Sequence, residues 1–161
     1  AKTVRSGDVE NLEGRAAAYY WRNVFHDPDF VRGQEGDPPN NLLNYGYAIV
    51  RAMVARALVA AGLLPTLGVH HHNRYNAYCL ADDIMEPYRP FVDQLVIYMM
   101  KRYEDISELN TEMKRDLLGL AYQDVLIDGK RSPMQIAIQT TANSVYKCFS
   151  GEARKIIYPD W

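Results

Sequence analysis

The sequence predicts an all-α fold, a single mostly helical domain with at most one small β-hairpin near residues 124–132. Three observations indicate this class. The length of 161 residues fits one domain. A hydrophobic fraction of 48% against 24% charged residues favours a packed core over a disordered chain. Long apolar stretches are bounded by capping residues, glycines and prolines, as helices are, and no internal repeat appears.

The first predicted helix covers Val9 to Phe25, with Asp8 as its N-terminal cap and three consecutive alanines as strong helix formers. Residues 26–39 hold Asp, Gly and Pro with little apolar periodicity. They predict a surface loop, which is also the segment that we expect to be most prone to disorder.

The second predicted helix is long and reaches Ala61, with Asn40 or Asn41 as its cap and Gly62 as its stop. Its apolar residues cover most of the circumference. A helix that is apolar on all sides is surrounded by other elements, so we expect this one to lie at the centre of the core.

A connector is predicted over residues 63–76, which contain a proline and a glycine. The next helix begins between residues 77 and 80 and runs to about Tyr103. Pro87 and Pro90 fall near its beginning, so the sequence predicts a kink or a late start there.

Two helices and a hairpin complete the prediction. Residue 110 or 111 opens a helix that runs to about Tyr122. The pair Asp128-Gly129 predicts the turn of the hairpin. Ser132-Pro133 is a cap followed by proline, and it predicts the start of a last helix that ends near Phe149.

The composition argues against several classes of protein. Lys and Arg number 18 against 20 Asp and Glu, whereas a domain that binds DNA by itself is usually basic. Cys79 and Cys148 lack metal-binding spacing and indicate reduced thiols in a cytoplasmic protein. Residues 42–64 are apolar enough to raise the question of a membrane, but Arg51 and Arg56 interrupt them, so we interpret them as a buried helix.

Two polar clusters are candidates for chemistry, the histidines at 70–72 and the acidic residues at 82, 83 and 86. On a helix, Asp82 and Asp83 share the face of Glu86, and crowded carboxylates repel each other unless a cation or an arginine joins them. The ordinary alternatives are an acidic first turn of a helix and a surface loop that carries histidines. A histidine and a carboxylate on either side of a loop-to-helix junction favour a metal site, whereas Glu13 alone gives no signal.

The types of ligand narrow the choice of metal. Two carboxylates with one imidazole suit Mn²⁺, or Mg²⁺ with several water ligands, better than Zn²⁺ in a sulfur site. Such an ion polarises phosphodiesters. The residues alone indicate a metal-dependent enzyme without identifying its substrate.

Four runs occur in a characteristic order: EGRAA at 13–17, LNYGY at 43–47, LGVHH at 67–71 and ADDIMEPYRPFVD at 81–93. In this order they resemble the catalytic domain of the CRISPR adaptation integrases, and they are most similar to the versions that accompany type II systems. The resemblance covers residues 10–100 strongly and the remainder loosely. Its most specific part is DIMEPYRP with a Gly-x-x-His upstream at this separation.

The resemblance implies a divalent-metal site made of a Glu, a His and an Asp, which match Glu13, His71 and Asp83 of this sequence. His71 stands three residues after the glycine of its motif, unlike the two neighbouring histidines. Asp83 opens the Asp-Ile-Met-Glu-Pro run, which leaves Asp82 outside the motif. Some members carry a further Asp where this chain has Leu80. The implied catalytic residues and ligands of Mg²⁺ or Mn²⁺ are therefore these three, and the residues that contact DNA are not assigned.

The implied reaction is the integration of a short DNA fragment, the new spacer, into the CRISPR array. The 3′-hydroxyl of the fragment attacks a phosphodiester at the repeat boundary, in a metal-assisted transesterification. The implied partners are DNA, both spacer precursor and CRISPR repeat, a second copy in a homodimer, and a second CRISPR adaptation protein. The implied location is the prokaryotic cytoplasm, with no membrane contact.

One departure from the family affects the expected activity. Family members carry an N-terminal β-rich domain that helps them to dimerise, and the residues before Glu13 leave no room for it. We therefore expect residues 1–161 to be the helical C-terminal catalytic domain alone. We also expect this domain to bind DNA poorly and to integrate little by itself.

Two alternatives remain at this point. The same residues suit a metal-dependent DNA endonuclease, in which water replaces the 3′-hydroxyl. A non-catalytic helical interaction module, whose histidines only stabilise a loop, would need no metal. Arg74 and Arg89 flank the acidic cluster and are candidates for phosphate contacts, whereas we expect Arg51 or Arg56 to pair with a buried carboxylate.

Overall fold

A computed structural model describes residues 11–69 and 75–160 of the chain. The described part is mostly helical with one small antiparallel sheet, so the predicted fold class is confirmed. Its helices and strands are α1 (Leu12–Phe25), α2 (Asn40–Ala60), α3 (Cys79–Met85), α4 (Arg89–Arg102), α5 (Thr111–Leu118), β1 (Asp124–Ile127), β2 (Lys130–Pro133), α6 (Met134–Phe149) and β3 (Pro159–Asp160). Short 3-10 segments, Glu86–Tyr88 and Gly119–Tyr122, follow α3 and α5.

The long helix α2 forms the centre of the fold, as its sequence predicts. It packs against α3, α4, α5 and α6. Gly62 ends it with a left-handed φ of 83°, and the Leu63 amide donates to the Leu58 carbonyl at 2.9 Å, which is the usual glycine stop. By length and composition α2 would also cross a membrane, but 50% of its apolar window is buried inside this protein, as in the core helix of a globular domain.

Residues 26–39 contain no helix or strand, as predicted, but side chains fasten them to α2. The Asn40 side chain accepts hydrogen bonds at 3.0 Å from the Gly33 amide and from the Arg32 guanidinium. The expected tendency to disorder is therefore not what the structure shows. The predicted cap is also wrong, because Asn40 and Asn41 lie inside the first turn of α2 and the Asn40 amide binds the loop instead.

Two other predicted helix starts need correction. Helix α1 begins at Leu12 rather than near Val9, because Asn11 before it has a left-handed φ of 49° that interrupts a helix. The proposed cap Asp8 lies outside the described residues. Ser132 belongs to β2, and Pro133 is the residue that directly precedes α6.

The junction between α3 and α4 breaks the helix near the two prolines, as predicted. The 3-10 turn contains Pro87, and Pro90 lies in the first turn of α4. Tyr88 of this turn is fully buried, and its hydroxyl lies 2.6 Å from the Thr141 hydroxyl of α6. The turn is thereby fixed to the last helix.

Tyr88 makes the stability of the protein sensitive to alkaline pH. Burial raises its pKa to about 12, whereas tyrosine in an unfolded chain titrates near 10. Between these values the folded protein keeps a proton that the unfolded chain has lost. The free energy of unfolding therefore falls as the pH rises from about 10 to about 12.

Urea denaturation of the wild type and of Tyr88→Phe at pH 9 and pH 11 measures this effect. Other titrating groups contribute equally to both proteins, so their effects cancel in the comparison. We expect the wild type to lose about 1.4 kcal/mol more than the variant between these two pH values. Equal losses in the two proteins would contradict the raised pKa.

The predicted hairpin is confirmed, and a third strand, β3, pairs with β1. Asp128 and Gly129 at its turn have φ angles of 50° and 71°, which suit a tight two-residue hairpin turn. The sequence did not predict β3, in which Pro159 and Asp160 pair antiparallel with β1. The sheet order β2-β1-β3 brings the C-terminal segment back to the hairpin.

Candidate active site

Asp83 lies half-buried in α3, where the chain returns from the connector. Its Oδ2 atom accepts a hydrogen bond from the backbone amide of Val69 at 2.6 Å. Val69 precedes His71 by two residues. One predicted ligand is therefore attached to the segment that contains another, by a contact of the kind that orients ligating carboxylates.

The neighbouring Asp82 fastens the other end of the same segment. Its Oδ2 atom accepts a hydrogen bond from the Asn76 side chain at 2.7 Å, and its Oδ1 atom lies 3.8 Å from Nη1 of Arg51. Two adjacent aspartates thus hold residues 69 and 76 against α3, on either side of the histidine run. Arg51 therefore pairs with a carboxylate, as expected, but Asp82 is half-buried, with its side chain 17% exposed, and not fully buried as predicted.

The other predicted ligands are less directly located. Glu13 lies in the first turn of α1 and is exposed. His71, its neighbouring histidines and Arg74 lie outside the described residues. In the part of the chain that the structure describes, no group of three His, Cys, Asp or Glu side chains is placed to hold a metal ion. The site made of Glu13, His71 and Asp83 therefore stays a prediction.

The donor set nevertheless fits a divalent ion. Carboxylate oxygens and one imidazole nitrogen favour Mn²⁺ or Mg²⁺, and the Val69 amide gives Asp83 the outer support that metal ligands usually have. Glu13, His71 and Asp83 would hold the ion.

The C-terminal segment reaches the same region. Tyr158 is half-buried just before β3. Burial raises its pKa most, and the negative charge of Asp83 raises it further. No sequence motif indicates this proximity, which depends on the return of the chain to β1.

A polar cleft of about 710 Å³ opens beside the acidic pair, and Arg32, Arg51, Arg89 and Asp82 line it. The guanidinium carbons of Arg32 and Arg89 lie 5.3 and 5.1 Å from the centre of the Tyr47 ring. Burial above all, and also the charge of Arg89, lowers the pKa of Arg32. The Nε atom of Arg89 is buried without a hydrogen-bond partner among the described residues. Carboxylates pair with two of these arginines, Arg89 with Glu86 at 3.1 Å and Arg51 with Asp82 at 3.8 Å, so the cleft is lined by charged groups of both signs.

A buried carboxylate connects three helices close to this cleft. Asp93 of α4 is 3% exposed and accepts hydrogen bonds from Tyr20 of α1, at 2.6 Å, and from Tyr47 of α2. Burial raises the pKa of Asp93, while the two hydroxyls and the charges of Arg89 and Arg32 act in the opposite direction. Asp93 closes the longest motif of the sequence, but its spacing gives no sign of the bond to Tyr20.

A second cleft, of about 870 Å³, includes residues of α2 and the start of α6. Its lining is mainly aliphatic, with Arg56 and Tyr78 among its members and no carboxylate. Because the smaller polar cleft has three arginines in its lining and this one has a single arginine, the polar cleft is the better candidate for binding a phosphate-containing substrate.

Residues 2–116 match the family model described as CRISPR associated protein Cas1, and this range contains all three predicted ligands. The chain belongs to the Cas1 family. The resemblance stated from the order of the motifs is therefore confirmed, and the acidic pair and the polar cleft are features of a Cas1 helical domain.

Curated Cas1 proteins give the same assignment. The CRISPR-associated endonuclease Cas1 of Neisseria meningitidis serogroup C (strain 8013) is 37% identical over 144 residues, which cover 89% of this chain and 47% of that protein. The CRISPR-associated endonuclease Cas1 1 of Francisella tularensis subsp. novicida (strain U112) is 30% identical over 164 residues, with coverage of 94% and 51%. The chain spans about half the length of the curated relatives it matches.

A solved structure shares the fold of this Cas1 chain. A casposase bound to integration product superimposes with a TM-score of 0.78, over 96% of this chain and 51% of that one. The sequence identity is 23%, so the similarity concerns the fold.

Proposed function

We propose that this Cas1 chain is the helical catalytic domain of a DNA integrase that inserts new spacer DNA into a CRISPR array. Glu13, His71 and Asp83 are its proposed catalytic residues and metal ligands, and Mg²⁺ or Mn²⁺ is its proposed cofactor. The hydrogen bond between Val69 and Asp83 carries this proposal, because it ties the segment of one ligand to another ligand.

The proposed reaction is a transesterification at phosphorus. The 3′-hydroxyl oxygen of the incoming fragment bonds to the phosphorus of a repeat-boundary phosphodiester and loses its proton to solvent. The bond from phosphorus to the 3′-oxygen of the flanking strand breaks, and that oxygen takes up a proton from solvent. A bound divalent ion supplies Lewis acidity to the phosphodiester oxygens. Because one phosphodiester replaces another, no protein nucleophile is required.

The described side chains contribute mainly by positioning, which dominates catalysis of phosphoryl transfer. Asp83 provides an anionic oxygen whose direction is fixed by the Val69 amide. Asp82 binds the Asn76 side chain and lies near Arg51 of the cleft, so it fixes the position of Asn76, after the histidines, relative to the cleft.

The polar cleft is the proposed binding site for a DNA phosphate next to the reacting group. Arginine binds phosphate through several N–H donors arranged in a plane. Arg89 lines this cleft and pairs with Glu86 at 3.1 Å, so its guanidinium is held at the cleft wall, where a phosphate would meet it. Arg32 is already oriented by Asn40 and Asn44, at 3.0 and 2.7 Å, so its charge is fixed before DNA binds.

The proposed partners are the spacer precursor, the CRISPR repeat, a second copy of the protein and a second CRISPR adaptation protein, in the prokaryotic cytoplasm. The net charge of −2 gives this chain little general attraction for DNA. Because electrostatic attraction supplies much of the affinity for DNA, we expect residues 1–161 by themselves to integrate weakly.

A comparison of two DNA fragments tests the reaction. A labelled fragment with a free 3′-hydroxyl, or the same fragment blocked at the 3′ position, is incubated with the protein, Mn²⁺ and a plasmid that carries a CRISPR repeat. We expect label in the plasmid only with the free hydroxyl. Equal labelling by both fragments would contradict attack by the 3′-hydroxyl.

Hydrolysis is the second candidate, because the curated relatives are named endonucleases. In that case water attacks the phosphodiester, so nicking of the plasmid would persist with the blocked fragment.

The third candidate is a non-catalytic module. It predicts negligible and equal Mn²⁺ binding by the wild type and by His71→Ala in calorimetry.

Arg89 provides a test of the DNA-binding cleft. We expect Arg89→Gln to weaken binding of a labelled duplex by about three- to tenfold. The slope of the logarithm of the binding constant against the logarithm of the salt concentration should become smaller in magnitude by about one, because one ion fewer is released. Fluorescence anisotropy between 50 and 200 mM salt measures both quantities. Arg131→Gln, at an exposed position of β2, is the control and should change neither quantity. An equal effect of the two variants would show that DNA does not bind in the cleft.

A further inference from the structure

Helix α1, which carries Glu13, lies at the surface of the described part of the protein. None of its residues is buried. At its C-terminal end, the rings of Trp21 and Phe25 stack with their centres 5.9 Å apart, and the ring centres of Phe25 and Phe30 are 4.7 Å apart. Glu13 lies at the opposite end, in the first turn. This aromatic group packs against the core and holds the C-terminal end of α1, and the direction of the Glu13 face depends also on contacts of other side chains of the helix.

Tyr20 supplies a contact of this kind. Its hydroxyl donates to Oδ2 of Asp93 at 2.6 Å, across 73 positions of the chain. Asp93 is buried and is held from the other side by the hydroxyl of Tyr47 in the core helix. The acceptor is therefore a fixed point in the core, and the bond transmits its position to α1.

The spacing of residues connects this bond to Glu13. Tyr20 follows Glu13 by seven residues, so at ~100° per residue the two side chains leave the helix within about 20° of the same direction. They are separated along the axis by roughly 10 Å. A bond that fixes the direction of Tyr20 therefore also fixes the direction of Glu13.

We propose that Asp93 is a positioning residue, which acts through Tyr20 to turn the Glu13 face of α1 toward the metal site. This role rests on the proposed function, since it requires Glu13 to be a ligand. Asp93 itself does not contact the metal or the DNA. Its effect on the reaction passes entirely through the orientation of one helix.

Binding of Mn²⁺ tests this role without a measurement of activity. The electron paramagnetic resonance signal of free Mn²⁺ gives the dissociation constant for the wild type and for Glu13→Gln, Tyr20→Phe, Asp93→Asn and the double variant Glu13→Gln/Tyr20→Phe. We expect Tyr20→Phe and Asp93→Asn each to weaken binding by about 10- to 100-fold, the range for outer-shell partners of metal ligands. The double variant should bind no more weakly than Glu13→Gln alone, because Tyr20 has no ligand left to orient.

Tyr103→Phe is the matched control. It also removes a tyrosine hydroxyl that donates to an aspartate, Asp116, at 2.8 Å, but on helices that carry no predicted ligand. It should leave Mn²⁺ affinity unchanged, and circular dichroism confirms that each variant is folded at the temperature of the titration.

The outcomes separate this role from the proposed function. Absence of Mn²⁺ binding by the wild type would overturn both. If the wild type binds Mn²⁺ and Glu13→Gln weakens it, but Tyr20→Phe binds like the wild type, only the role of Asp93 is overturned. Losses that add in the double variant would also overturn it, because they would mean that Tyr20 supports the fold in general.

Discussion

Replacement of Asp83 by asparagine is expected to lower Mn²⁺-dependent DNA joining by at least about 100-fold, or roughly 2.7 kcal/mol in the barrier. Asparagine keeps an oxygen that can accept the Val69 hydrogen bond, so the segment before the histidines should stay attached. What the variant loses is the negative charge of a proposed metal ligand. Joining assays with a labelled 3′-hydroxyl fragment, at saturating and at limiting Mn²⁺, measure the loss.

Asp82→Asn is the control for this variant, because it makes the same chemical change one residue away. Asp82 holds Asn76 and lies near Arg51, and it is not a proposed ligand. We expect joining to fall by no more than about tenfold, the lower end of the range for supporting contacts. If the two variants lost equal activity, or if Asp83→Asn kept the activity of the wild type, Asp83 would not be a metal ligand.

Replacement of Gly46 by valine is expected to destabilise the protein by about 3 kcal/mol. Gly46 is buried where α2 meets α4 and α5, and a Cβ atom added there would overlap with Cγ1 of Val92 and lie 3.4 Å from Cδ2 of Leu117. Val92 and Leu117 are both fully buried, so neither can move without disturbing the core. Thermal unfolding should show a decrease in Tm of roughly 6–12 °C.

Gly119→Val tests whether this loss comes from the close approach rather than from the loss of a glycine. Nothing lies within 4 Å of a Cβ atom added at Gly119, at the end of α5. Its free energy of unfolding should change by less than about 1 kcal/mol. A similar decrease in Tm for both variants would show that α2 does not need a glycine to pack against its neighbours.

The predictable parts of the fold are those with strong local signals. Gly62 stops α2, and the Asn110 side chain caps α5 by accepting a hydrogen bond from the Met113 amide at 2.9 Å. The predicted caps failed where a side chain had a different partner, as Asn40 has in the loop before α2. The strand β3 has only two residues, too few for any periodicity, and it forms because β1 offers it a free edge.

The candidate site was predictable to a smaller extent. The spacing of the histidines and the acidic residues indicated only the two clusters, and the family resemblance chose His71 and Asp83 within them. Glu13 came from the family resemblance alone, since a glutamate in a first helical turn is ordinary. The bond between Tyr20 and Asp93 and the approach of Tyr158 to Asp83 join distant parts of the chain. Contacts between residues so far apart in the sequence depend on the packing of helices and strands, and no local sequence pattern encodes them.

Asp82 and Asp83 of α3 limit how the sequence between Val69 and Asn76 can vary. Val69 and Asn76 are both tied to neighbouring positions, so the residues between them close a small ring. In a short ring, the number of residues sets which side chain lies at a given point, and an inserted residue changes the register as well as the closure entropy. We infer that the length of this ring is constrained as well as the identity of His71. A single glycine inserted after Val69 should therefore impair the site more than replacement of His70 or His72, which are not proposed ligands.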